Sequence, residues 1–261
     1  MIKLLKKIYR FLLIARKRVR NLFIPTAYIV LYHRVAKTGL DPHFLCVEPE
    51  VFREQLKFFK ENFNIMPLGQ IVKWIKEGKL KHNSLAITFD DGYADNLHNA
   101  LPILKELNVP ATIFVTSEYI DSSKPFYWDI EVQPQYRGKS LTSQELIQLA
   151  NSSLIEISAH TMTHPKLKTL SLKGQEIEIK TSRESIEKII GKPLIGFAYP
   201  FGGLDSFDRN TIEIIKAAGF SYACANIHER VTNNSDLFAL PRFIARNQSI
   251  EDFKKEVKRW H

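Results

Sequence analysis

Residues 85–92 read Leu-Ala-Ile-Thr-Phe-Asp-Asp-Gly. A short apolar run rich in β-branched and aromatic character passes directly into two carboxylates and a glycine, the signature of a buried strand that ends in a polar turn. Asp91-Gly92 alone is commonly just a turn. Two adjacent carboxylates at the end of an apolar strand are different, because bringing both near a core is unfavourable unless they are paired or metal-bound. The same arrangement recurs along the chain. Residues 27–32 run into His33-Arg34, residues 154–158 into Ala159-His160-Thr161-Met162-Thr163-His164-Pro165, and residues 194–199 into Pro200-Phe201-Gly202-Gly203. Residues 111–115 and 220–225 are further strand candidates, and 238–244 is a weaker one.

Between these runs lie helical patterns at 49–63, 142–150, 173–190, 208–218 and 250–260. The second opens with Thr142 and Glu145, the spacing of a capping box. Strands alternating with helices imply parallel pairing. About seven strands in one domain predict an α/β fold of the barrel type rather than an open sheet, with the strand C-termini on one face. His33, Asp90, Asp91, His160, His164 and Phe201 all fall at such ends. Singly, each histidine has an ordinary reading as a core, capping or surface residue. Jointly, an aspartate and two histidines make a three-ligand set that leaves positions open for water and substrate.

Composition narrows the function class. The 261 residues are 44% hydrophobic and 25% charged, which suits a globular chain with a substantial core. The two cysteines, Cys46 and Cys224, are too few and too far apart for a disulfide framework or a cysteine-based zinc cluster. The formal charge of +9 is localised. The first 40 residues hold ten basic side chains and no acid, and the remainder is close to neutral. A nucleic-acid-binding body would carry its own basic face, so nucleic acid is not an expected partner. Residues 1–25 read as a basic amphipathic segment, with Leu4, Leu5, Ile8, Phe11, Leu12, Ala15, Val19, Leu22 and Phe23 on one arc and the basic residues opposite. Such a segment suits an anionic membrane surface. It lacks the apolar run of a secretory signal or a membrane span. The expected location is therefore the cytoplasm, peripheral on the inner membrane face, with residues 26–261 forming the barrel.

Thr88-Phe89-Asp90-Asp91-Gly92 together with His160-Thr161-Met162-Thr163-His164-Pro165 resembles the first two motifs of the polysaccharide deacetylases, the NodB-homology or carbohydrate esterase 4 family. The resemblance spans roughly residues 26–245. It implies a distorted (β/α)7 barrel and one divalent metal, most commonly zinc. By the match, Asp91, His160 and His164 are the metal ligands and Asp90 is the general base. The family's third motif, Arg-x-Pro-Tyr-Gly, is matched by Ala198-Tyr199-Pro200-Phe201-Gly202, which makes the Phe201 amide the oxyanion donor. Two departures stand out. The motif's arginine is Ala198 here, and Arg242 in Leu240-Pro241-Arg242-Phe243 is the candidate to support the base instead. The usual C-terminal catalytic histidine motif is missing, whereas Leu31-Tyr32-His33-Arg34-Val35 resembles the N-terminal motif of circularly permuted members, which makes His33 the general acid.

These residues suit hydrolysis of an acetamide. A metal acidifies water and polarises the carbonyl, a carboxylate takes the water proton, and a histidine titrating near neutrality protonates the leaving amine. Tyr93, Trp128 and Tyr199 are candidates to line a sugar subsite. The basic N-terminus without an export signal favours an N-acetylated aminosugar presented on a polyprenyl phosphate at the cytoplasmic face, as in envelope or lipid A biosynthesis. The alternatives are deacetylation of an extracellular poly-N-acetylhexosamine or peptidoglycan, and a non-catalytic carbohydrate-binding barrel.

Overall fold

The computed structural model describes residues 25–260; the basic N-terminal segment lies outside them. An eight-stranded sheet is ordered β10-β1-β5-β6-β7-β8-β9, with β4 branching from β5. Its strands are β1 (Ala27–Tyr32), β4 (Asn64–Ile65), β5 (Ser84–Phe89), β6 (Ala111–Val115), β7 (Ile155–Ala159), β8 (Gly196–Ala198), β9 (Tyr222–Cys224) and β10 (Phe243–Ile244). Every pairing is parallel. A separate two-stranded sheet joins β2 (Arg34–Val35) to β3 (Cys46–Val47). Cys224 pairs in parallel with Leu240, three residues before β10 begins, so the two sheet edges are drawn together into a distorted barrel.

All residues of β1, β5 and β6 are buried. That is why these strands read as continuous apolar runs: a parallel sheet covered on both faces has no wet side. The core splits accordingly. Tyr28, Val30 and Tyr32 pack in the layer between sheet and helices with Phe52, Leu56 and Phe59 of α1 (Pro49–Asn62). Ala27, Ile29, Ala86, Phe114, Ala198 and Tyr222 form the second cluster, joined by Leu68, Ile71, Val72 and Ile75 of α2 (Leu68–Lys76).

The other helices are α3 (Leu101–Leu107), α4 (Ser143–Ala150), α5 (Leu172–Ile190), α6 (Arg209–Ala217) and α7 (Ile250–Val257). The expected capping box forms at α4, where the Glu145 amide donates to the Thr142 hydroxyl and the Thr142 amide to the Glu145 carboxylate. Helix α3 and the two-residue strands β2, β3 and β4 escaped the sequence pattern, as did two further features. Helix α2 is only nine residues, bounded by Pro67 and Gly78. The segment before α3 forms a π-helical turn, Asn96–Ala100, a geometry that often accompanies functional sites. The weak strand expected over 238–244 shortens to Phe243–Ile244 because Pro241 has no N–H for a ladder.

Candidate active site

The ends of β1, β5, β7 and β8 deliver His33, Asp90-Asp91, His160 to His164 and Phe201 to one cleft of about 430 Å³. Trp128, Asn226 and Arg246 also line it.

The local backbone is bent to present these groups. Asp91 (φ +73°), Thr161 (+64°), His164 (+67°) and Phe201 (+62°) all lie in the left-handed region, a placement worth on the order of 1–3 kcal/mol of strain at each non-glycine residue. Asp91 and Phe201 each sit at the centre of a tight turn closed by an i to i+2 hydrogen bond: Gly92 N–H to Asp90 C=O at 3.0 Å, and Gly202 N–H to Pro200 C=O at 2.7 Å. Such turns with positive φ are rare. At Gly202 (φ +67°) an added Cβ would meet the Asn226 backbone nitrogen at 2.6 Å, so glycine is required.

Asp91, His160 and His164 are buried and offer ligand atoms within 4.8 Å of one another. The His160 Nδ1 lies 2.8 Å from the Ala198 carbonyl. A carbonyl can only accept, so the proton is on Nδ1 and the Nε2 lone pair points to the cluster. Both histidine Nε2 atoms lie 3.5 Å from Asp91 Oδ1. That oxygen is buried and has no hydrogen-bond partner. Burial first, and then the neighbouring Asp90, push the Asp91 carboxyl well above its usual range. Burial, reinforced by His160, pushes His164 well below its ordinary value, and burial likewise lowers His160. An orphaned carboxylate oxygen facing two neutral imidazoles is a buried two-nitrogen, one-oxygen donor set short of positive charge, and such a set fits a divalent cation. His164→Ala should therefore abolish stoichiometric metal in elemental analysis of the purified protein; equal metal in both proteins would remove His164 from the set.

Asp90 has a different environment. Arg242 Nη1 and Nη2 donate to its two oxygens at 2.7 Å each. Burial alone would raise the Asp90 carboxyl, but Arg242 and His160 outweigh it and hold it below the ordinary range. Arg242 is itself fully buried and also donates to Asn226 Oδ1 at 2.8 Å and the Ala225 carbonyl at 3.3 Å. The arginine that Ala198 lacks is thus supplied from the seam of the barrel, one residue before β10.

His33 is half-buried in the cleft wall. Burial pushes its imidazole down to about 4, against the opposing pull of Asp90. Its ring is therefore neutral in the free cleft, unlike the protonated donor expected from the sequence. Its backbone carbonyl accepts from Asn96 Nδ2 at 2.9 Å, and Asp95 holds Arg34 Nε at 3.0 Å and the Val35 amide at 3.1 Å. The turn after Asp91 thus pins the loop that carries His33. Asn226, from the end of β9, donates through Nδ2 to the Phe201 carbonyl at 2.9 Å. Sequence reading passed over Asp95, Asn96, Asn226 and Arg246; the polar string Asp90 to Asn96 after an apolar strand was the available signal for the first two.

Two of the three aromatic assignments are corrected. Tyr93 is fully buried, accepting from Trp128 Nε1 at 2.8 Å, and does not line the cleft. Tyr199 is fully buried as well, stacked on Phe207 at 3.8 Å and donating to the Phe238 carbonyl. Its side chain follows the strand alternation away from the cleft. Trp128 does line the cleft, its ring 4.4 Å from that of His164, and Tyr93 fixes it from behind.

The parallel barrel and this constellation define a hydrolase with a cation-binding centre. Residues 77–223, more than half of the chain, match the family model described as Polysaccharide deacetylase. The poly-beta-1,6-N-acetyl-D-glucosamine N-deacetylase of Staphylococcus aureus (strain MRSA252) is 25% identical over 256 residues, which cover 90% of this chain and 83% of the relative. The Staphylococcus epidermidis protein of the same name is 24% identical, covering 88% and 83%. Among solved structures, the Streptococcus pyogenes deacetylase PplD in complex with acetate superposes with a TM-score of 0.73 at 21% identity, covering 89% of this chain and 98% of that one. IcaB from Ammonifex degensii superposes at 0.71 and 17% identity, covering 90% and 97%. These two likenesses establish the fold. The chain belongs to the polysaccharide deacetylase family and is a carbohydrate N-deacetylase, a hydrolase of non-peptide C–N bonds.

Proposed function

We propose that this chain deacetylates N-acetylglucosamine units of a poly-N-acetylhexosamine. The observation that carries the chemistry is the pair of adjacent carboxylates with opposite environments: Asp90 ion-paired to Arg242, and Asp91 between two histidines with its Oδ1 accepting no hydrogen bond. The substrate class is supported by the staphylococcal relatives, which align over most of both chains. Exposed rings of Phe44, Tyr127 and Phe201 at the cleft suit an extended sugar chain.

Asp91, His160 and His164 would hold a divalent cation, for which zinc suits the histidine-rich set. When bound, that cation acidifies a water and polarises the acetyl carbonyl. Asp90, kept ionised by Arg242, accepts the proton as the water oxygen bonds to the carbonyl carbon. The Phe201 N–H, which no acceptor among the described residues takes, donates to the developing oxyanion. The C–N bond then breaks, and His33 passes a proton to the departing sugar nitrogen. Because His33 starts neutral, it takes that proton up from solvent, and Asp90 returns the proton it took from the water to solvent after turnover. The products are a free amine and acetate.

The reading is tested by assaying acetate release from β-1,6-linked oligomers of N-acetylglucosamine, chitin oligomers, peptidoglycan fragments and a polyprenyl-phosphate N-acetylhexosamine. Turnover confined to the last would overturn the polymer assignment in favour of the lipid-linked substrate at the cytoplasmic membrane face. That second reading rests on the eight basic residues within residues 1–20. It predicts that deleting residues 1–20 abolishes flotation with anionic vesicles while hydrolysis of soluble oligomers persists. Undiminished flotation would exclude a membrane role for the segment. Among the described residues no helix is long and apolar enough to cross a membrane.

A further inference from the structure

Helix α5 carries an inversion of the usual burial rule. Ile177 is 47% exposed, whereas the adjacent Glu178 is only 7% exposed. A helix that turns an isoleucine to water and a carboxylate inward breaks its own amphipathic pattern, and such violations concentrate where function demands them. Glu178 faces the loop between His160 and His164. Its Oε2 accepts from the Met162 and Thr163 amides at 2.9 Å each, and its Oε1 from the Thr163 hydroxyl at 2.7 Å. The carbonyls of the loop are held from other elements: the Ser117 amide donates to the Thr161 carbonyl at 3.1 Å, the Glu118 amide to the Met162 carbonyl at 2.9 Å, and the hydroxyls of Thr116 and Tyr127 to the His160 and His164 carbonyls at 3.2 and 3.3 Å. Within the loop, Thr161 and His164 are held at positive φ, and the His164 amide donates to the Thr161 hydroxyl at 3.0 Å.

We infer that Glu178 is a positioning residue that sets the affinity of the cation site by fixing the backbone between its two histidine ligands; the inference rests on the cation site proposed above. Its carboxylate is the acceptor for both central amides of the loop. Without it, two inward-facing N–H groups lose their partners, and relaxation of Thr161 and His164 toward ordinary φ values turns the His164 ring away from Asp91. The contribution is geometric. The Glu178 charge is neutralised by no cation in the loop; what matters is two acceptor positions at a fixed reach.

The test uses the full chain, titrated with Zn²⁺ against a chelator of known affinity, with the thermal midpoint of the metal-free protein measured alongside. Glu178→Gln can keep the arrangement, since its Oε1 accepts both amides and its Nε2 donates to the Thr163 oxygen. Glu178→Asp keeps the charge but is one methylene too short to reach both. The expected result is wild-type Zn²⁺ affinity for Glu178→Gln and a loss of about 10- to 100-fold for Glu178→Asp, the usual effect of removing a partner behind a metal ligand, with similar metal-free midpoints for the two. Equal affinity in wild type and Glu178→Asp would overturn the inference while leaving the cation site standing. A loss shared by Glu178→Gln would overturn it in favour of charge. A wild-type protein that binds no Zn²⁺ would overturn the cation site, and the inference with it.

Discussion

Asp90→Asn should lower kcat for acetate release by about 10²- to 10⁴-fold, the range for losing a general base, while the protein keeps its metal. The two effects separate because the candidate ligands Asp91, His160 and His164 are untouched by the substitution. The asparagine oxygen can still accept one Arg242 N–H, but its amide nitrogen has no lone pair for a proton and faces the second guanidinium donor. Asp91→Asn should give the reverse signature, with metal lost first and activity following. The paired measurement is acetate release together with elemental analysis. Activity of Asp90→Asn within about tenfold of wild type would place the base elsewhere.

Arg242→Met, behind the cleft, should lower stability strongly. The guanidinium and Asp90 are both buried, and their pairing is bidentate. Removing one partner leaves an uncompensated carboxylate beside Asp91, which typically destabilises by about 3–5 kcal/mol. For a domain of this size that corresponds to a fall in Tm of about 6–20 °C. Catalysis should fall as well, since Asp90 loses the group that orients it. The double variant Asp90→Asn with Arg242→Met should recover part of the lost Tm, because no bare charge is then buried. Metal loading must be matched across the series, as bound metal raises Tm by mass action. A Tm for Arg242→Met within 2 °C of wild type, flagged against the roughly 2–4 °C expected per kcal/mol, would mean that the ion pair contributes little to the fold.

The site and the fold were legible to different depths. Strands β1 and β6 were readable to the residue, and β5 and β7 to within one, because a parallel strand buried on both faces leaves an uninterrupted apolar run. Asp90, Asp91 and His160 were readable because they follow such runs directly, and His164 because of its fixed spacing from His160. Helix α2 and the π-helical turn were not, since both are short and their stability comes from packing. Tyr93 and Tyr199 were misassigned for a related reason. Adjacency in sequence to the motif residues says nothing of orientation: Tyr199 follows the alternation of β8 away from the cleft, and Tyr93 is turned inward by the bend after Asp91.

By itself the sequence determined the alternation of strands and helices, the polar residues at the strand ends and the family they mark, because these depend on local pattern and on residue type at fixed spacing. It also singled out Arg242 as a replacement for the arginine absent at Ala198. Only the tertiary structure decided that Arg242 reaches Asp90 across 152 positions of chain. Closure of the barrel through Leu240 brings them together, and no local signal encodes that. The contacts of Asn226 and Glu178 were likewise visible only in three dimensions, for several of them are made to backbone groups, which any residue presents alike. The ionisation of the cleft belongs to the fold as well. His33 is pushed to about 4 and Asp90 is held low because burial and the arrangement of neighbouring charges set those values, and both exist only once the chain has closed.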